Sequence, residues 1–153
     1  MQTRNIRNQN IRRIGYWATT GLVALAFAAG GAIDLARGPD VTAGMAHLGY
    51  PVYLAGILGV WKLLGALAVL APGFPRLKEW AYAGMFFDLS GAAVSHAASG
   101  DGAAQVITPL VLLVLVAASW ALRPAARMLA RGARTPLAAS SSDDVGRDVS
   151  LAA

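Results

Sequence analysis

The chain has 153 residues, which by length alone is one domain. It is 56% hydrophobic and 14% charged, with a mean hydropathy of +0.52, too apolar for a typical soluble domain. The composition therefore gives an all-α integral membrane protein. It contains no cysteine, which excludes disulfides, thiol catalysis and Cys-ligated metal, haem or iron–sulfur centres.

The formal net charge is +5, so the placement of the charges matters. Arg4, Arg7, Arg12 and Arg13 make the 1–13 arm basic. Arg76 and Lys78 sit in the middle turn, and Arg123, Arg127, Arg131 and Arg134 open the tail. The excess falls in alternate non-membrane segments. That is the positive-inside pattern, and nucleic acid is not needed to explain it.

In chain order, Gly15–Leu35 reads as a first span rather than a secretory leader, because its apolar run of about 20 residues exceeds a leader's h-region. It is rich in Ala and Gly, and Asp34 near its end has Arg37 as a helical neighbour. Asp40 is a candidate N-cap for a short interfacial helix over 41–48, closed by Gly49 and carrying His47. Val52–Ala71 and Glu79–Ala98 are the second and third spans. The fourth begins at Ala103 or Val106 and runs to Leu122. The result is a four-helix, up-down-up-down bundle with both termini cytoplasmic. Tyr16, Trp17, Trp80, Tyr82 and Trp120 mark the inner interface, and Tyr50 and Tyr53 the outer one. Arg123, Arg127, Arg131 and Arg134 could line one face of a surface helix, and from Thr135 the composition predicts disorder. The domains are thus a 1–13 arm, a 14–122 membrane domain and a 123–153 tail.

Lys62 and Asp88 stand near the centres of the second and third spans. Each is 13 residues from Pro75 in the connecting turn, so an antiparallel hairpin places them at equal depth. A lone charge at the centre of a membrane helix costs about 2.5–3.5 kcal/mol, which pairing relieves. Small residues share their faces: Ala55, Gly59, Gly65 and Ala66 beside Lys62, and Gly84, Gly91 and Ser95 beside Asp88. They predict close helix contact there. Ser95, His96, Asp34, His47 and Asp101 all map to the outer side, as a candidate polar pocket or proton relay. Their spacings match no compact metal motif. Ser90, Ser95 and Ser119 read as helix hydrogen bonders, and no Ser/His/Asp order or phosphate loop suggests a catalytic residue.

Several stretches resemble one family. They are Leu48-Gly49-Tyr50-Pro51, Lys62-Leu63-Leu64-Gly65, the run from Pro72 through Lys78-Glu79-Trp80-Ala81-Tyr82-Ala83-Gly84, and Ser95-His96-Ala97-Ala98-Ser99-Gly100-Asp101. Over about residues 14–122 the chain is similar to the DoxX-like family of small bacterial membrane proteins. The resemblance implies a four-helix protein of the inner membrane. Its namesake relatives are associated with a thiosulfate:quinone oxidoreductase, and others with membrane complexes handling oxidative stress. The expectation is a non-catalytic subunit or accessory of such a complex, with a lipid or quinone pocket. The alternative is a small proton-coupled carrier acting as a homo-oligomer.

Overall fold

The computed structural model describes the backbone of residues 2–124, with the side chains of residue 7 and of residues from 9 onward. Arg127, Arg131, Arg134 and the Ser-rich tail lie outside the described residues. Five helices follow one another: α1 (Gln2–Ala36), α2 (Pro39–His47), α3 (Tyr53–Leu70), α4 (Pro75–Ala98) and α5 (Ala103–Ala121). Three of them are long and apolar enough to cross a membrane: α1 over Gln9–Ala36, α3 and α5. The basic arm does not form a separate element. It continues the first apolar segment as one helix of 35 residues, about 52 Å long at 1.5 Å per residue.

The expected short helix is present as α2, but Asp40 does not cap it. Gly38 is at the N-cap, Pro39 occupies the first helical position and Asp40 lies in the first turn. There its charge still complements the helix dipole. Helix α4 begins at Pro75, four residues before the apolar run that marked it in the sequence. Proline at the first helical position lacks only an N–H that would have had no partner, so the helix starts at the turn itself.

α1 packs against α3 and α5, and α4 packs against α5 and α3. The α1–α3 seam is the most extensive and the α3–α4 seam the least. Val23, Phe27, Val69, Tyr82, Met85, Leu89 and Val116 form the common core. The opposite faces present Leu25, Trp61, Leu67, Phe87 and Val114 at the surface, an apolar exterior suited to lipid. Trp17, Trp80, Trp120, Tyr50 and Tyr53 are exposed, whereas Tyr16 and Tyr82 are core residues and take no part in an aromatic belt.

The small residues act at a different seam from the one the sequence suggested. A Cβ on Gly59 would come 2.8 Å from the Gly31 carbonyl oxygen, and a Cβ on Gly31 equally close to that of Gly59. The backbones of α1 and α3 therefore meet where only glycine fits. Gly84 and Gly91 on α4 have open space beside them. No close α3–α4 approach is built on them. Accordingly, Gly59→Ala should lower stability in mild detergent by about 1–3 kcal/mol through overpacking. Gly84→Ala should be neutral or stabilising by up to about 1 kcal/mol through helix propensity. Equal thermal-melt shifts for the two variants would remove the glycine contact as the basis of the α1–α3 seam.

Candidate functional site

Three charged side chains from three helices meet on one side of the protein. The Lys62 ammonium on α3 donates to Asp34 Oδ2 on α1 at 2.8 Å and lies 3.9 Å from Asp88 Oδ2 on α4. Lys62 and Asp88 thus stand within salt-bridge reach, as their matched depth predicts, and Asp34 has Arg37 as a helical neighbour. Yet Asp34 bonds Lys62, and the Arg37 guanidinium lies against α3 at Gly56. Helix geometry explains the exchange. Side chains lean toward the N-terminus of their own helix. Lys62 thus leans toward the α2 end, where Asp34 stands, and Asp88 leans toward the opposite turn. Counting residues from Pro75 levels the Cα atoms and ignores this divergence. The Lys62 stem runs past Gly30 and Gly31, whose missing side chains leave it room.

Lys62 and Asp88 also line a groove of about 650 Å³ between α3 and α4. Its other walls are apolar: Phe27, Leu58, Trp61, Leu64 and Ala68 on one side, Leu77, Trp80, Met85 and Phe87 on the other, with Gly65 and Gly84 adding no bulk. Its volume falls within the range of small-molecule sites, about 300–1,000 Å³.

The other candidate residues gather at the α2 end. Helix α4 closes on Gly100 in the left-handed region (φ 75°), with Asp101 N–H donating to the His96 carbonyl five residues back. This Schellman turn folds Asp101 back over His96. His96 Nδ1 bonds Asp101 Oδ2 and His47 Nε2 bonds Asp101 Oδ1, both at 2.6 Å. An equivalent turn at Gly49 carries Tyr50, whose hydroxyl lies 2.8 Å from Ser95 Oγ. Asp101 therefore ties α2 to α4. The outer set of the sequence divides in two: His47, His96, Asp101 and Ser95 stay together, while Asp34 joins Lys62. Among the described residues, no three His, Cys, Asp or Glu side chains converge as metal ligands.

At the opposite end the structure uses residues to which the sequence analysis gave no such role. Lys78 is fully buried and donates to the carbonyls of Ala68 (2.8 Å), Val69 (3.1 Å) and Ala71, the acceptors left open at the C-terminus of α3. Arg12 likewise donates to the carbonyls of Ala121, the last residue of α5, and of Arg123 just beyond it. Thr20, Ser119 and Tyr82 form a buried hydroxyl chain with links of 2.7 and 2.8 Å across three helices. Glu79 receives Arg123 Nη2 at 2.8 Å and Trp120 Nε1 at 2.9 Å. A lysine just before an apolar run, close after a helix end, is the one sequence signal that could have marked Lys78 as a cap. Nothing local pairs Thr20 with Ser119.

Removing one member of a fully buried ion pair leaves an uncompensated charge at a cost of about 3–5 kcal/mol, an upper bound for this partly buried cluster. Lys62→Met should therefore be the most damaging of Lys62→Met, Asp34→Leu and Asp88→Leu, since it strands two carboxylates. In double-mutant cycles the Lys62–Asp34 coupling should exceed the Lys62–Asp88 coupling. The reverse order would place the principal contact on Asp88.

Hydrogen bonds from His96, and then His47, hold the Asp101 carboxyl below the usual carboxylate range. A group depressed in the folded state adds stability above its unfolded value, about 3.9 for Asp, and loses it as pH falls through the folded value. Asp101→Asn should melt below the parent at neutral pH, and the gap should close as pH is lowered through and beneath about 3.9. A gap that persists undiminished in acid would assign the effect to something other than this carboxylate.

No curated protein and no solved structure matches the chain. A family model described as the DoxX-like family matches residues 18–119, a span that takes in the α1–α3 glycine contact, the Lys62 cluster, the α3–α4 groove and the Asp101 tie. The chain therefore belongs to the DoxX-like family of membrane proteins.

Proposed function

We propose that the protein is a non-catalytic accessory subunit of a membrane complex concerned with redox or stress chemistry, and that it holds an amphiphile, a membrane lipid or quinone, in the α3–α4 groove. The observation that carries this reading is the groove itself: about 650 Å³ of apolar space with Lys62 and Asp88 set into its wall. A polar headgroup would meet those charges while an apolar tail follows the aromatic walls.

In this reading α1, α3, α4 and α5 all cross the inner membrane of a bacterium in an up-down-up-down order. The termini are cytoplasmic and α2 lies at the external interface. Helix α4 has 24 residues, and its formal charges other than Asp88 (Arg76, Lys78 and Glu79) fall in its first five residues. The apolar remainder is long enough to cross. Arg12, Arg13, Arg76, Lys78 and Arg123 then share one side, with Arg37 alone opposite them, as the positive-inside rule asks.

A second reading, a proton-coupled carrier, draws on one observation: a single ammonium faces two carboxylates, so one of them can take up a proton or cation. Alternating access in so small a protein would require a homo-oligomer.

Mass spectrometry of the protein purified in mild detergent decides between them. Co-purifying membrane proteins with bound lipid or quinone support the accessory role. A pure homo-oligomer that moves protons in liposomes supports the carrier, and absence of both results sinks both. Reporter fusions at Arg37–Asp40 and at Gly100 should report the outside and one at Pro75 the inside; an external Pro75 would overturn the orientation.

A further inference from the structure

The charges around the groove are unequal in number and unequal in how well they are matched. Lys62 gives its ammonium to Asp34 at 2.8 Å, a full charge-assisted hydrogen bond. Asp34 is not part of the groove wall. Asp88 is part of it, with 17% of its side chain exposed. Its nearest cation is the same Lys62, at 3.9 Å, beyond hydrogen-bond reach. Among the described residues Asp88 accepts no side-chain or backbone hydrogen bond. One ammonium therefore serves two carboxylates, and the one left over faces the apolar space.

We propose that the groove selects an amphiphile with a cationic ammonium headgroup, for which Asp88 is the counter-ion. This rests on the reading of the groove as an amphiphile site and names the headgroup that site prefers. A carboxylate or phosphate headgroup would meet two carboxylates and an ammonium already hydrogen-bonded to one of them. A neutral headgroup, even one that donates a hydrogen bond, would leave the charge of the second carboxylate unmatched in an apolar setting, which is costly. An ammonium removes the imbalance. Phe27, Trp61, Trp80 and Phe87 contribute to the walls, and aromatic faces attract ammonium groups further by the ring quadrupole. The aliphatic tail takes the apolar remainder of the groove.

The test uses the whole protein in a neutral detergent and three nitroxide-bearing amphiphiles with the same hexadecyl tail. Their headgroups are a quaternary ammonium, a carboxylate and a neutral hydroxyl. Trp61 and Trp80 line the groove, so binding is read as saturable quenching of tryptophan fluorescence. The ammonium probe should saturate at a detergent mole fraction at least tenfold below the other two. Asp88→Asn should abolish that preference and Asp88→Glu should keep it. If the carboxylate or hydroxyl probe saturates as early as the ammonium, the headgroup assignment fails while the groove remains an amphiphile site. If none saturates, both fail. A folded Asp88→Asn protein that retains the preference overturns the role of Asp88. If that variant does not fold, the ranking of the three probes on the parent protein decides the matter.

Discussion

The contact on which the rest of this structure depends is the hydrogen bond from the Lys62 ammonium to Asp34. A lysine in the middle of an apolar helix must be compensated or the helix does not stay among apolar surroundings. Its compensation comes from the neighbouring α1 and from a residue near that helix's end. The pairing needs the Lys62 stem to run along α1, and that requires α1 and α3 to approach closely. Gly31 and Gly59 permit the approach, because any larger side chain at either position would strike the opposite backbone. The close seam and the ion pair thus support each other. The glycines bring the helices near enough for the charge to be reached, and the charge fixes the register in which the glycines face.

Several other polar groups are used at helix ends, where unpaired backbone groups would otherwise lie beside apolar surfaces. Lys78 and Arg12 supply donors to the last carbonyls of α3 and α5. The left-handed residues Gly49 and Gly100 close α2 and α4 and aim Tyr50 and Asp101 at their partners. The buried Thr20–Ser119–Tyr82 chain adds a polar tie inside the core, where each hydroxyl has a partner.

The helices were legible in the sequence because apolar runs of span length have few alternatives, and the α2 helix because Gly49 and Pro51 punctuate it. That Lys62 and Asp88 need compensation was legible because charge in an apolar run is conspicuous. Their approach, to 3.9 Å, was legible from matched depth as well; the choice of Asp34 as the closer partner was not. It depends on side-chain lean and on which seam is tight, and neither follows from distance to a turn. Ala55, Gly59 and Ala66 are buried on α3 as their spacing suggested, yet the surface they meet includes α1, while Gly84 and Gly91 face open space. Tyr16 and Tyr82 show the same limit. An aromatic residue near a span end fits an interfacial belt or a core, and only packing separates the two.

The groove lies along the α3–α4 seam, the least extensive of the four helix seams, and that seam is tied at both ends. At one end Lys78 holds the first turn of α4 against the last carbonyls of α3. At the other, Tyr50, just before α3, bonds Ser95 near the end of α4. Between these ties the methyl end of Met85 packs toward Gly65, while Gly84 contributes no side chain of its own. The two helices are thus fastened at both ends, and the gap lies beside the Met85–Gly65 contact between those ties. If the groove holds an amphiphile as proposed, ties at both of its ends limit the reorganisation that binding requires. Lys62 takes part in both the gap and the tight α1–α3 seam: its stem lies in that seam beside Gly31, while Lys62 and Asp88 also line the wall of the gap.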